Sequence, residues 1–270
     1  KHTVQSAVVA GATKVASLGL GASQASKDCA NNNMASFEQW GPAVGIEAVY
    51  LNDTLTYGFP NGVAPEVTAM KDAGVDFIVT CIDISSVIVL EQELERQGMT
   101  NVKVAMPQGY GDTEFIASNA DLLEGNTLAL IFRPFEADIA GTGIETFLDW
   151  MEQGGYEVTD NALYAWMGAE LAVKALVAAG PQFDRASMIA AANQITDFTA
   201  EGITAPVDWS VQHTAPTPED PITNAGPYDC MAYVVIRGGT VELAADPSTQ
   251  WYCFDPTDQE WHDAEEMNFE

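Results

Sequence analysis

Asp83 closes the run Asp76-Phe77-Ile78-Val79-Thr80-Cys81-Ile82-Asp83, directly after a segment that reads as a strand. A carboxylate at such a point can hold a cationic group or cap the helix that follows. Gln108 and Tyr110 stand in the same relation to the apolar run 102–106, and Ser23 and Gln24 to the run 14–20. Gln offers both a donor and an acceptor, and Tyr a hydroxyl and a ring. In open α/β sheets ligands bind beyond the carboxyl ends of the strands. Ser23, Gln24, Ile82, Asp83, Ile84, Gln108 and Tyr110 are therefore the candidate ligand wall, with Asp83 expected to carry charge recognition. The plainer roles are a helix cap for Asp83 and a turn for the Gln108 segment.

Chemistry beyond binding finds no support in the residue types. The three histidines, His2, His213 and His262, follow no catalytic signature and are expected at the surface. No GxSxG, HExxH or phosphate-loop motif occurs. Gly19-Leu20-Gly21 matches a dinucleotide loop only in part, because Gln24 stands where the third glycine belongs. The expectation is a binding protein and not an enzyme, with no cofactor and no metal. Four cysteines, Cys29, Cys81, Cys230 and Cys253, lack CxxC or zinc-ligand spacing. An even count fits two disulfides and an oxidising compartment; the alternative is four buried free thiols. Cys230 and Cys253 share a strand-rich tail and are expected to pair, which leaves Cys29 with Cys81.

The chain has 270 residues and a net charge of −29. That charge repels phosphate backbones and anionic lipid, so nucleic-acid partners are not expected; its simplest role is a solubilising shell. At 47% hydrophobic and 18% charged residues, the chain reads as globular. No run is read as approaching the ~20 apolar residues of a membrane span. The chain opens at Lys1-His2-Thr3-Val4 with no signal peptide, as expected of a processed or partial secreted chain.

The positioning elements follow from periodicity. Strands are expected at 14–20, 46–51, 76–81, 102–106 and 127–132, and helices at 26–40, 65–73 and 87–97. This alternation implies βαβ units and a parallel sheet covered on both faces. Beyond Phe135 come helices at 144–154, 161–179 and 185–194. Between Ala162 and Ala179 only Glu170 and Lys174 are charged, so this helix needs burial on most sides. No large sheet in this half supplies it, and a partner sheet is expected from elsewhere. A proline-rich irregular stretch spans 206–227, a hairpin turns at Gly238-Gly239, and the acidic end 255–270 is expected to fray.

Met70-Lys71-Asp72-Ala73-Gly74-Val75-Asp76-Phe77, Leu94-Glu95-Arg96-Gln97-Gly98-Met99, Leu122-Leu123-Glu124-Gly125, Phe132-Arg133-Pro134-Phe135 and Phe147-Leu148-Asp149-Trp150-Met151 resemble the branched-chain amino-acid-binding family of ABC-importer solute-binding proteins. The resemblance runs from Lys14 to about Phe254. It implies an α/β fold of the type I periplasmic-binding-protein kind: two Rossmann-like lobes, the N-terminal one incomplete. Residues 14–137 and 229–270 would form the C-terminal lobe, and 1–13 with 138–228 the remaining part of the other. It further implies an extracytoplasmic protein, lipid-anchored in its precursor. Such a protein delivers a small polar solute, an amino acid or amide-like molecule, to an ABC permease in the membrane by closure of the lobes. A ligand-sensing domain of a receptor or regulator is the alternative role. By matching segments, Gln24, the 81–84 loop, Gln108 and Tyr110 fall where the family's C-terminal lobe touches ligand. Trp166 and Phe135 would pack on ligand or, more simply, on core.

Overall fold

The computed structural model describes residues 1–210, 229–247 and 250–269. In chain order the elements are α1 (His2–Val9), β1 (Lys14–Leu20), α2 (Gln24–Trp40), β2 (Glu47–Leu55), α3 (Ala64–Ala73), β3 (Phe77–Cys81), α4 (Ile84–Arg96), β4 (Lys103–Ala105), α5 (Thr113–Ser118), α6 (Ala120–Leu123), β5 (Thr127–Leu130), α7 (Gly143–Gly154), α8 (Asp160–Ala179), α9 (Arg185–Ala192), β6 (Asp229–Arg237), β7 (Thr240–Leu243), β8 (Trp251–Phe254) and β9 (Glu265–Met267). They fall into two compact units, the first made of Lys1–Ala129 and Tyr233–Ala244, the second of Leu130–Ala232 and the residues from Ala245.

The first unit is a parallel sheet in the order β2-β1-β3-β4-β5, with the end of β6 beside β5 and β7 hairpinned onto β6. The strands are apolar on both faces: Val15, Leu18, Phe77, Ile78 and Val104 are buried, as helices on both sides require. Turns follow from local chemistry. Gly74 ends α3 at φ 76° in the left-handed region, where a side chain would be strained. Helix α1 is an addition to the expected elements. Its His2, expected at the surface, is buried, and its Nδ1 lies 2.8 Å from the hydroxyl of Tyr233, itself buried. That hydroxyl donates to the His2 carbonyl at 3.0 Å. The apolar spacing of Val4 and Ala7 turns His2 inward, one helical turn before Ser6 meets Thr127.

In the second unit, β8 pairs with the opening residues of β6 and with β9. Arg133 is buried, and its guanidinium donates to the carbonyls of Gly202 (2.9 Å), Asp138 (3.1 Å) and Phe269 (2.5 Å) and to Asn268 Oδ1 (3.2 Å). The acidic end is thus held by a strand and by Arg133, and the expected fraying is corrected through residue 269. Phe135 stacks on Phe132 and Phe147, and Trp166 meets Phe147 edge-on, so both rings pack on protein.

Helix α8 starts from a Thr159 cap, one residue before the expected start, and buries only Asp160, Leu163, Met167 and Ala175. Val173, Val177, and the neighbouring Trp150, Phe183 and Ile189 are exposed. At 20 residues α8 is long and apolar enough to cross a membrane by length and composition, which corrects the expectation that no run approaches that size. It packs against α9. Of the proline-rich stretch, residues 206–210 are described; residues 211–227, with His213, lie outside the described residues.

Candidate functional site

The strand order in the first unit reverses at β1, which has β2 on one side and β3 on the other. In doubly wound sheets the crevice outside the carboxyl ends at such a reversal is the ligand position. Here it is bounded by the loop after β1 and the loop after β3. Gly19 and Gly21 allow the first to form. A Cβ on Gly19 would stand 2.7 Å from the Ser26 carbonyl oxygen, and one on Gly21 3.0 Å from the Thr54 backbone. The partial dinucleotide motif is explained by these two close approaches.

Three bonds then tie the two loops together. The Leu20 amide donates to Ser26 Oγ at 2.6 Å, and Ser26 Oγ donates to the Cys81 carbonyl at 2.5 Å. Cys29 and Cys81 form a disulfide, joining α2 to the end of β3. Cys230 and Cys253 form the second, between paired residues of β6 and β8, and no cysteine is free. Both expected pairings are present.

Each wall residue has a definite local role. Ser23 caps α2, accepting from the Ser26 amide at 3.3 Å. Gln24 is exposed, and its amide donates to Asp28 at 2.7 Å. Asp83 caps α4: one oxygen accepts from the Ser86 amide at 3.0 Å and the other from the Ser86 hydroxyl at 2.5 Å. Ile82 and Tyr110 are buried, at 4% and 1% exposure, so they shape the loops from beneath. Ile84 opens α4 and Gln108 is half-buried on the loop after β4. The topology puts all seven at one edge of one sheet.

A further loop belongs to this edge. Strand β2 runs to Leu55, four residues beyond the expected end at 51, so residues 56–63 also follow a strand at its carboxyl end. The Gly58 amide donates to Ser86 Oγ at 3.1 Å, the hydroxyl that serves Asp83. Phe59 is buried at φ 45°, a left-handed value that a non-glycine residue adopts only when held. Tyr57 beside it is 66% exposed. The signal was present in Gly58-Phe59-Pro60-Asn61-Gly62, dense turn chemistry between a strand and a helix.

The second unit holds a cavity of about 390 Å³, lined by Tyr164, Met167, Leu171, Phe198, Val207 and Trp209 among others. It is mainly apolar, and the Thr204 hydroxyl at its wall is buried without a hydrogen-bond partner. Among the described residues no group of three or more His, Cys, Asp or Glu could hold a metal ion.

A family model described as periplasmic binding protein matches residues 1–221. No curated protein sequence matches significantly. Among solved structures, the chain is similar to a substrate-binding periplasmic protein from Ralstonia solanacearum, at 16% identity and a TM-score of 0.67, over 90% of this chain and 64% of that one. It is similar to a leucine-binding protein from Thermotoga maritima at 14% identity and a TM-score of 0.65, over 90% and 63%. It is also similar to a solute-binding protein of an ABC transporter from Rhodopseudomonas palustris in complex with p-hydroxybenzoic acid, at 17% identity and a TM-score of 0.61, over 91% and 64%. The chain therefore spans less than two thirds of the length of these relatives, whose likeness establishes the fold. With the family model covering most of its length and the parallel sheet matching in three dimensions, this chain belongs to the periplasmic binding protein family and has its type I α/β fold.

Proposed function

We propose that the protein is an extracytoplasmic solute-binding component of an ABC importer, which presents a small polar solute, an amino acid or amide-like molecule, to a membrane permease. The observation that carries this is that the loops after β1, β2, β3 and β4 leave one edge of the first unit's parallel sheet, whose order reverses at β1, in a chain of this family. Ser23, Gln24, Asp83, Ile84 and Gln108 would line the solute's side of that edge, with Ile82 and Tyr110 fixing the loops under it. Residues 14–137 with 229–270 would form one lobe and 1–13 with 138–228 part of the other. The compact units divide instead near Ala129 and Tyr233 and count α1 with the first. Lobe closure on the solute would give the form that the permease accepts. Two disulfides support an oxidising, extracytoplasmic setting. The leucine-binding and p-hydroxybenzoate-bound relatives support a small carboxylate-bearing or polar solute.

The test is a thermal-shift screen of the intact protein against amino acids, amides and small organic acids, followed by ATPase measurement on a reconstituted ABC permease. A saturable rise in melting temperature with one solute class, and permease stimulation by that complex, is the expected result. No shift with any solute, including those of a dialysed cell extract, would contradict the reading.

A further inference from the structure

Among the described residues the sheet begins at β2, which pairs with β1 on one side only. Its outer backbone, Glu47–Leu55, is therefore an open edge, and Leu51 on it is 39% exposed. An open edge of this length is a template for pairing with other chains unless something covers it. Near its end stands Asn52-Asp53-Thr54, the one place in the chain where Asn is followed, across a residue other than proline, by Ser or Thr. That triplet is the acceptor pattern for N-linked saccharide.

A bulge presents the triplet. Leu18 pairs with Asn52 but Leu20 with Leu55, so three steps on β2 answer two on β1. Asn52 Oδ1 accepts from the Thr54 amide at 2.9 Å and from the Thr54 hydroxyl at 2.8 Å. A backbone amide only donates, so the atom facing it is the oxygen. The side-chain nitrogen takes the other branch of the carboxamide, where it serves the Tyr50 hydroxyl. Asp53 turns to the opposite face and accepts from Asn31 of α2 at 2.9 Å. Asn52 is half-buried and Thr54 exposed.

Resting on the extracytoplasmic reading above, we propose that Asn52 is a glycosylation site whose saccharide covers the open edge of β2. The co-reactant is a lipid-linked saccharide phosphate. Asn52 Nδ2 bonds to the anomeric carbon of the sugar, and the bond from that carbon to the phosphate oxygen breaks. The lipid phosphate leaves with that electron pair, and the nitrogen gives up one proton to solvent. The substituted amide keeps one N–H, enough for Tyr50, and Oδ1 keeps both bonds from Thr54. A bulky, solubilising group at this point bars another strand from the edge.

The test is mass spectrometry of the intact protein recovered from the exported fraction of its own host. After reduction, cleavage at lysine gives the peptide 28–71, which contains Asn52. Most copies should carry added hexose-type mass, located at Asn52 by fragmentation. Thr54→Ser should keep the added mass, and Thr54→Ala should lose it while the protein is still exported. A bare Asn52 in the exported parent, or added mass that persists in Thr54→Ala, overturns the proposal and leaves the extracytoplasmic reading intact. A parent found only inside the cell overturns both.

Discussion

Ser26 Oγ donates to the carbonyl oxygen of Cys81 at 2.5 Å, bridging the ends of β1 and β3 where the sheet order reverses. The Cys29–Cys81 disulfide fastens α2 to the end of β3 about one helical turn further along α2. The candidate edge is thus built on a cross-linked base. Breaking that link by Cys29→Ala with Cys81→Ala frees a loop of separation 52 in the unfolded chain. The loss of stability should be about 4 kcal/mol by the loop-entropy relation. Denaturant unfolding of the intact protein measures it, and peptide mapping without reductant should recover Cys29–Cys81 and Cys230–Cys253. Free thiols at these positions would refute both the link and the oxidising compartment.

Glu91 predicts a pH dependence. It is 5% exposed, and burial pushes its carboxyl from 4.5 up to about 7, against the Asn126 hydrogen bond and the nearby Lys103 charge. The folded state therefore holds the proton more firmly than the unfolded chain. Its contribution is largest below pH 4.5, falls as pH rises towards 7, and is flat above. The total is about 3 kcal/mol, at 1.36 kcal/mol per unit. Glu91→Gln should remove this slope and stabilise the protein at pH 8, read from unfolding midpoints between pH 5 and 8. An unchanged slope would mean that the carboxyl reaches solvent.

Much of this architecture was legible in the chain and some was not. The strands 14–20 and 76–81 and the glycine stop of α3 at Gly74 were readable because apolar runs and glycine stops act locally. Both disulfides were readable because strand placement removed the choice of partners. Helix α1 was missed because its eight residues carry little periodicity and their burial depends on Tyr233 and Thr127, far along the chain. The end of β2 was missed because Asn52-Asp53-Thr54 reads as a turn, yet pairing with β1 carries the strand to Leu55. The reach of Arg133 to Phe269 is likewise a tertiary fact with no local trace. At the candidate edge the sequence left two roles open for Asp83, a helix cap or a ligand contact. Whether Asp83 serves a helix or a ligand depends on where the Ser86 hydroxyl points.

Arg133 should behave as a structural clamp. Arg133→Met removes the donors to four acceptors, of which the Gly202 carbonyl is buried and would be left unpaired at a cost of about 1–3 kcal/mol. Hydrogen exchange should rise first in β9 and the residues around Phe269. Unaltered exchange there would show the clamp to be redundant.

The uncovered face of α8 predicts association. Val173, Val177 and Ile189 lie exposed on α8 and α9, and apolar patches of this kind draw partners or copies together. The 270-residue chain alone should elute as concentration-dependent oligomers, and Val173→Lys with Val177→Lys should shift it towards monomer. A monomeric parent with a sharp cooperative melt would contradict this.

The central claim is that solute sits on the strand-end edge of the first unit. Calorimetry of the intact protein with its identified solute, comparing the parent with Gln108→Ala and Tyr57→Ala, tests it most directly. Each variant should keep its unfolding midpoint, since Gln108 is half-buried and Tyr57 exposed, and should lose about 1–3 kcal/mol of affinity. Parent affinity in both variants would place the solute elsewhere and overturn the account.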